Sequence, residues 1–145
     1  MLEPLIPENE IQRLQALRSL ALLDTEAEDE YDRITNIAKY AFKVPICLVS
    51  LIDDSRQWFK SCQGLSVLQT PRSISFCGHA IQHKKVFIIP NAPMDSRFAD
   101  NPLVTGDPHI RFYAGYPLSA PSGELMGTLC IISDEARTLE KHEIR

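Results

Sequence analysis

Apolar and polar positions divide the chain into a helical N-terminal part and a strand-rich remainder. Over residues 8–23, apolar side chains at Ile11, Leu14, Leu17 and Ala21 recur at helical spacing, and Leu20, Leu22 and Leu23 widen the stripe. Pro7 and Asn9 are start signals for that helix. A second helix is predicted over 25–43. Its start carries Thr25-x-x-Glu28, the pattern of a capping box in which hydroxyl and carboxylate satisfy orphan backbone donors reciprocally. Ala27, Tyr31, Ile34, Ala38 and Ala41 then step round one face, which is expected to be buried. Pro45 ends the helix, because the residue before a proline avoids the helical region.

Beyond Pro45 the pattern is that of strands. Ile46–Ile52 is a continuous apolar run of strand length, expected to be a central strand buried on both faces. Asp53-Asp54-Ser55 is a polar turn, and Arg56–Cys62 returns as the hairpin partner. Trp58 and Phe59 are adjacent, so on a strand they face opposite sides of the sheet. Gly64 and Pro71 bracket a loop, Ser75–His83 reads as a short helix, and Val86–Ile89 is a strand stopped by Pro90. Asn91–His109, spaced by Pro93, Pro102 and Pro108, has little periodicity. Arg111–Leu118 and Leu125–Ser133 are the last two strands, joined through Pro121-Ser122-Gly123. Strands joined mainly by short turns and irregular loops imply a largely antiparallel sheet with helices packed on it, a single α+β domain over 1–145.

Composition narrows the class without naming a chemistry. With 145 residues, 44% hydrophobic and 23% charged, the chain is long enough for one real core and is unlike disordered or collagen-like sequences. No apolar run has the length of a membrane span, and MLEPLIPENE is unlike a signal peptide, so a cytoplasmic location is expected. The net charge of −4 offers no footprint for nucleic acid. That excess lies wholly within residues 1–45, much of it in Asp24–Glu30, where acidic side chains favour a helix start. Of the four cysteines, Cys47 and Cys130 lie inside apolar runs as small hydrophobes, and a disulfide framework does not fit a chain of this size without secretory signals.

Two segments carry candidate chemistry. In Ser75–Ala80, Cys77 and His79 flank Gly78, whose missing side chain would let a ligand approach. Cys77, His79 and His83 have spacings that metal sites use, yet three candidates on one helical turn do not converge on an ion, and nothing places His109 beside them. In the second segment, Asp95 and Arg97 precede Phe98, and Arg111 and Tyr113 follow on the next strand. A guanidinium fork and a phenol there suit a carboxylate or phosphate, while an internal network fastening the loop is the alternative. Cys77, His79, Asp95, Arg97, Arg111 and Tyr113 are thus the candidate ligand-binding residues. No nucleophile, base and orienting group assemble into a catalytic motif, no phosphate-cradling glycine loop is present, and no cofactor is required or identified.

The chain resembles a GAF domain of the type found at the N-terminus of bacterial diguanylate cyclases and sensor histidine kinases. The resemblance rests on residues 9–34 (NEIQRLQALRSLALLDTEAEDEYDRI), 44–65 (VPICLVSLIDDSRQWFKSCQGL), 73–81 (SISFCGHAI), 91–118 (NAPMDSRFADNPLVTGDPHIRFYAGYPL) and 123–139 (GELMGTLCIISDEARTL). It implies an antiparallel sheet of five to six strands, N-terminal helices on one face and a ligand cavity under loops on the other. It further implies a non-catalytic sensory domain that binds an unidentified small molecule, pairs as a homodimer through the Asn9–Leu23 helix and controls an attached output domain. The segment 137–145 would then begin a linker helix, making the chain a module of a longer signalling protein.

Two alternatives within the resemblance differ in class. Cys77 lies where free methionine sulfoxide reductases carry a reactive cysteine, but those enzymes need a second cysteine on a pocket loop, and Asn91–Arg111 contains none. A purely structural dimerisation module is the other. Neither a cysteine-histidine bilin attachment pair nor a cyclic-nucleotide signature is present.

Overall fold

A computed structural model of the chain describes residues 1–139. Its centre is β1 (Ile46–Ile52), seven successive buried residues. Such a strand needs cover on both faces, and it has both. Its neighbours are β2 (Arg56–Gln63) and β6 (Leu125–Ser133), each antiparallel to it. Beyond β2 lies the three-residue β3 (Gln69–Pro71). Beyond β6 lie β5 (Phe112–Ser119) and β4 (Phe87–Ile89), giving the order β3-β2-β1-β6-β5-β4 with every pairing antiparallel. Gly127 lets β6 approach β1, since a Cβ there would run into the Ser50 carbonyl.

Alternation along the strands sorts the side chains into two layers. On one face, Leu51, Trp58 and Met126 pack on Leu17 of α1 (Glu10–Ser19), while Cys47, Phe112 and Ile131 meet Ala38 and Phe42 of α2 (Asp29–Phe42). On the other face, Leu48, Phe59, Tyr113, Cys130 and Ile132 lie under α3 (Phe76–Ala80), α4 (Pro102–Thr105) and the loops between them. Trp58 and Phe59 are both buried, one in each layer.

Several local expectations are corrected. The first helix stops at Ser19 and not Leu23, because Ala21 and Asp24 take left-handed backbone and turn the chain. The Thr25–Glu28 capping box does not form. Glu28 is the N-cap residue in extended conformation with no side-chain cap bond, and Thr25 Oγ1 donates to the Leu22 carbonyl at 2.5 Å. Both residues serve Lys60, a fully buried ammonium that donates to Thr25 Oγ1 and the Glu26 carbonyl at 2.7 Å and pairs with Glu28.

The buried face of α2 is also rotated from the expected one. Ala27, Ile34 and Ala41 are exposed, and the inward line is Tyr31, Thr35, Ala38 and Phe42. Thr35 is drawn in by Ser61, whose hydroxyl lies 2.8 Å from that of Thr35 and donates to Asp32 at 2.6 Å. In α1 the fully buried positions are Arg13 and Leu17. Leu17 therefore belongs to the domain core and not to a dimer surface. The loop expected between Gly64 and Pro71 contains β3. Residues 137–139 are not helical, and the rest of the helix expected over 137–145 lies outside the described residues.

Candidate ligand cavity

The layer opposite α1 and α2 contains a cavity of about 160 Å³. Its floor is the sheet, through Leu48, Phe59 and Ile132, and its roof is two stretches of irregular chain, Leu65–Val67 and the segment from Leu103 to Ile110. The walls are mainly apolar. Gln57, Ser66 and Thr70 supply uncharged polar groups, of which two are bonded together: Gln57 Nε2 donates to Thr70 Oγ1 at 2.9 Å, and Ser50 Oγ donates to Gln57 Oε1 at 2.9 Å. Asp107 at the rim is the one ionisable side chain among the described residues that line it. A hollow of this composition suits a small, largely uncharged molecule, and among the described residues that line it no nucleophile is paired with a base.

The roof is fastened by polar contacts of its own. Asn101 caps α4 by accepting from the Leu103 amide at 2.9 Å, and its Nδ2 donates to the Ile74 carbonyl at 3.1 Å. Arg111 Nη1 donates to the Val104 carbonyl at 2.9 Å and the Ile110 carbonyl at 3.1 Å.

None of the six residues selected from sequence lines this cavity, and they do not form one site. Arg111 fastens the roof from outside. Asp95 and Arg97 pair with one another at 2.7 Å, and the Arg97 guanidinium lies 5.2 Å and 5.4 Å from the Phe87 and Phe98 ring centres. Arg97 holds the Asp95 carboxyl below its ordinary range. His79 meets Phe98 edge-on at 4.8 Å, with Nε2 3.1 Å from the Leu2 carbonyl oxygen. Burial keeps its imidazole below the usual value, which favours the neutral ring. Cys77 and Tyr113 do meet, in the core: the Tyr113 hydroxyl donates to Cys77 Sγ at 3.1 Å. Among the described residues, no group of three or more His, Cys, Asp or Glu side chains is placed to hold a metal ion.

The cavity-lining residues escaped sequence reading because the roof comes from aperiodic chain, where hydropathy carries no signal. Phe59 alone had been placed opposite Trp58 by the strand alternation.

A sheet covered on one face by helices and on the other by a roofed hollow defines a cavity-bearing α+β domain. The GAF domain family matches residues 26–145, and the chain belongs to that family. It is 44% identical over 137 residues to a cyclic di-GMP phosphodiesterase of Pseudomonas aeruginosa, covering 94% of this chain. The chain spans 23% of that protein's length. Its fold is similar to the GAF domain of a phosphoenolpyruvate-protein phosphotransferase from Coxiella burnetii, at TM-score 0.65 and 18% identity over 94% of this chain and 86% of that one. It is also similar to a free methionine-R-sulfoxide reductase of Neisseria meningitidis solved with its substrate, at TM-score 0.64 and 15% identity over 99% and 86%. At these identities the likeness is one of fold. No helix among the described residues is long and apolar enough to cross a membrane.

Proposed function

We propose that this chain is a small-molecule-sensing, regulatory domain of a bacterial signalling protein, without catalytic activity of its own, coupled to an output domain that acts on cyclic di-GMP. The observation that carries the reading is the mainly apolar cavity in which Gln57 is already bonded to Thr70 and Ser50, an arrangement suited to binding. The output domain is inferred from the Pseudomonas aeruginosa relative, most of whose length lies beyond the matched part.

The coupling has a physical route. Phe59 lines the cavity, and its neighbour Trp58 packs on Leu17 of α1 through the opposite face of β2. A ligand pressing on Phe59 would therefore bias the seat of the N-terminal helix, which is a coupling free energy between two sites. Pairing of two copies belongs to the same reading, over the N-terminal surface where Leu5, Ile6 and Ile11 remain 60–71% exposed. A reductase is not favoured, since no cysteine lines the cavity.

The test is native mass spectrometry of the purified chain for a retained small molecule, joined to a thermal-shift screen of small neutral compounds. A compound that raises Tm in the wild type and fails to do so in Ile132→Trp, which fills the floor, supports sensing. No retained molecule, together with identical shifts in wild type and variant across the screen, overturns it.

A further inference from the structure

Cys77 and Cys130 come from distant parts of the chain, 53 residues apart, and their sulfurs lie 3.9 Å from one another inside the core. Cys77 sits in the first turn of α3 and Cys130 in the middle of β6, paired between Leu48 and Gly115. Two hydroxyls converge on the Cys77 sulfur: Thr128 Oγ1 donates at 3.0 Å and Tyr113 Oη at 3.1 Å. The phenol reaches it because position 115 is glycine, as a Cβ there would collide with the Tyr113 ring and hydroxyl. We infer that Cys77 and Cys130 form a reversible disulfide when the domain meets hydrogen peroxide, with Cys77 as the attacking sulfur and Cys130 as the resolving one.

The roles follow from the surroundings. Burial pushes the Cys77 thiol up, but hydrogen bonds with Cys130, Thr128 and Tyr113 outweigh it and hold the thiol below its ordinary value. Cys130 is held up by the Cys77 sulfur beside it and by burial, so the proton stays there. Burial raises Cys47 to about 11 and also raises Cys62. Cys77 is thus the thiol of the four that is acidified, and the thiolate is the nucleophile.

The steps balance. The Cys77 thiolate attacks one peroxide oxygen, the O–O bond breaks, and the leaving hydroxide takes the proton that Cys77 gave up, forming water and a sulfenic acid. The Cys130 sulfur then attacks the Cys77 sulfur. The S–O bond breaks as the S–S bond forms, and the hydroxide leaves with the Cys130 proton as a second water. Two thiols lose two electrons, and the peroxide is reduced to water. The sulfurs need to close by about 2 Å to reach bonding distance, and each rides on a short side chain with one rotatable bond. The bond would join α3 to the centre of the sheet.

The full chain is treated with hydrogen peroxide, quenched with catalase, blocked with N-ethylmaleimide, digested and mapped by mass spectrometry. The expected result is a Cys77–Cys130 cross-linked peptide that dithiothreitol reverses. In Cys130→Ser, or Cys130→Ala if the serine variant does not fold, Cys77 stops at the sulfenic acid and dimedone traps it. Tyr113→Phe, with unchanged circular dichroism, moves the pH midpoint of Cys77 alkylation upward. Oxidation confined to Cys62 with Cys77 and Cys130 still fully alkylatable overturns the inference, as does a Cys77–Cys130 bond that forms only in urea.

Discussion

Arg72 grips Glu10 across 62 positions of the chain, with Nη1 donating to Oε2 at 2.7 Å and Nη2 to Oε1 at 3.2 Å. The same carboxylate takes Arg13 Nε at 2.6 Å, and Arg13 in turn donates from Nη1 to the Ile52 carbonyl at 2.7 Å. Arg72 also caps the Asp53 carbonyl at 3.0 Å. One carboxylate between two buried guanidiniums therefore ties α1, the end of β1 and the 3-10 turn Arg72–Ile74 that leads into α3.

Removing the carboxylate leaves two buried cations facing each other. Breaking such a site by deleting one partner costs about 3–5 kcal/mol, far more than an exposed pair is worth. Glu10→Ala is expected to lower the unfolding free energy by that amount in urea titrations, with m unchanged. A loss under about 1 kcal/mol would mean that water reaches both guanidiniums and that the site is an ordinary surface pair.

The same carboxylate makes stability depend on acid. Burial pushes the Glu10 carboxyl up, and the hydrogen bonds and charges of Arg72 and Arg13 more than offset this, leaving it below its ordinary 4.5. Asp53 behaves alike: burial raises it, and Arg56 and neighbouring donors bring it below 3.8. A carboxyl lowered in the folded state stabilises fully above its unfolded value and loses that contribution as pH falls through its folded value. Tm is expected to hold from neutral pH to about 5 and then to fall steadily. Glu10→Gln should flatten part of that fall. Parallel acid slopes in wild type and variant would remove Glu10 from the account.

Strands were the legible part of this sequence, and the orientation of the helices was not. β1 and β6 coincide with their hydropathy runs because a strand flanked on both sides is mostly apolar along its length. Helix faces were misjudged for one reason: buried polar groups occupy places that hydropathy assigns to apolar ones. Arg13 is buried in α1 because Glu10 and a strand carbonyl await it, and Thr35 is buried in α2 because Ser61 does. The Ile52 carbonyl and Ser61 are distant in sequence, so nothing local announces the burial. The Cys77–Cys130 contact was hidden likewise, since Cys130 read as one more apolar residue of its strand. Only the register of β6 with β1 and β5 places it opposite α3.

Folding and association should separate cleanly in α1. Leu17 is fully buried between Leu51, Trp58 and Met126, so Leu17→Ala is expected to cost about 2–5 kcal/mol through the cavity it leaves. Ile11, on the outer side of the same helix, is 71% exposed, and Ile11→Asp should change stability by no more than about 0.5 kcal/mol. If two copies pair over this surface, Ile11→Asp lowers the sedimentation coefficient at unchanged Tm. A wild type and an Ile11→Asp variant that sediment identically would place any pairing elsewhere.

Arg111 tests whether the cavity roof is a built element or an ordinary loop. Its Nη1 bonds to the Val104 and Ile110 carbonyls hold the segment between α4 and β5 against the sheet, and no carboxylate among the described residues pairs with it. Hydrogen bonds from a charged donor contribute about 1.5–3 kcal/mol where both partners are held. Arg111→Ala removes them while leaving Phe112 and Tyr113 in the core, so the cost should fall on the roof first. Local opening then becomes cheaper than global unfolding. Limited proteolysis is expected to cut within residues 102–110 many times faster than in the wild type, with only a modest drop in Tm. Hydrogen exchange should lose protection at the Val104 and Ile110 amides, which bond to the Asn101 and Leu103 carbonyls at 2.8 Å. A ligand found for the cavity should dissociate faster from this variant, because the roof that encloses it is looser. Unchanged cleavage and exchange would show that Asn101 and the packing of Val104 hold the roof without Arg111.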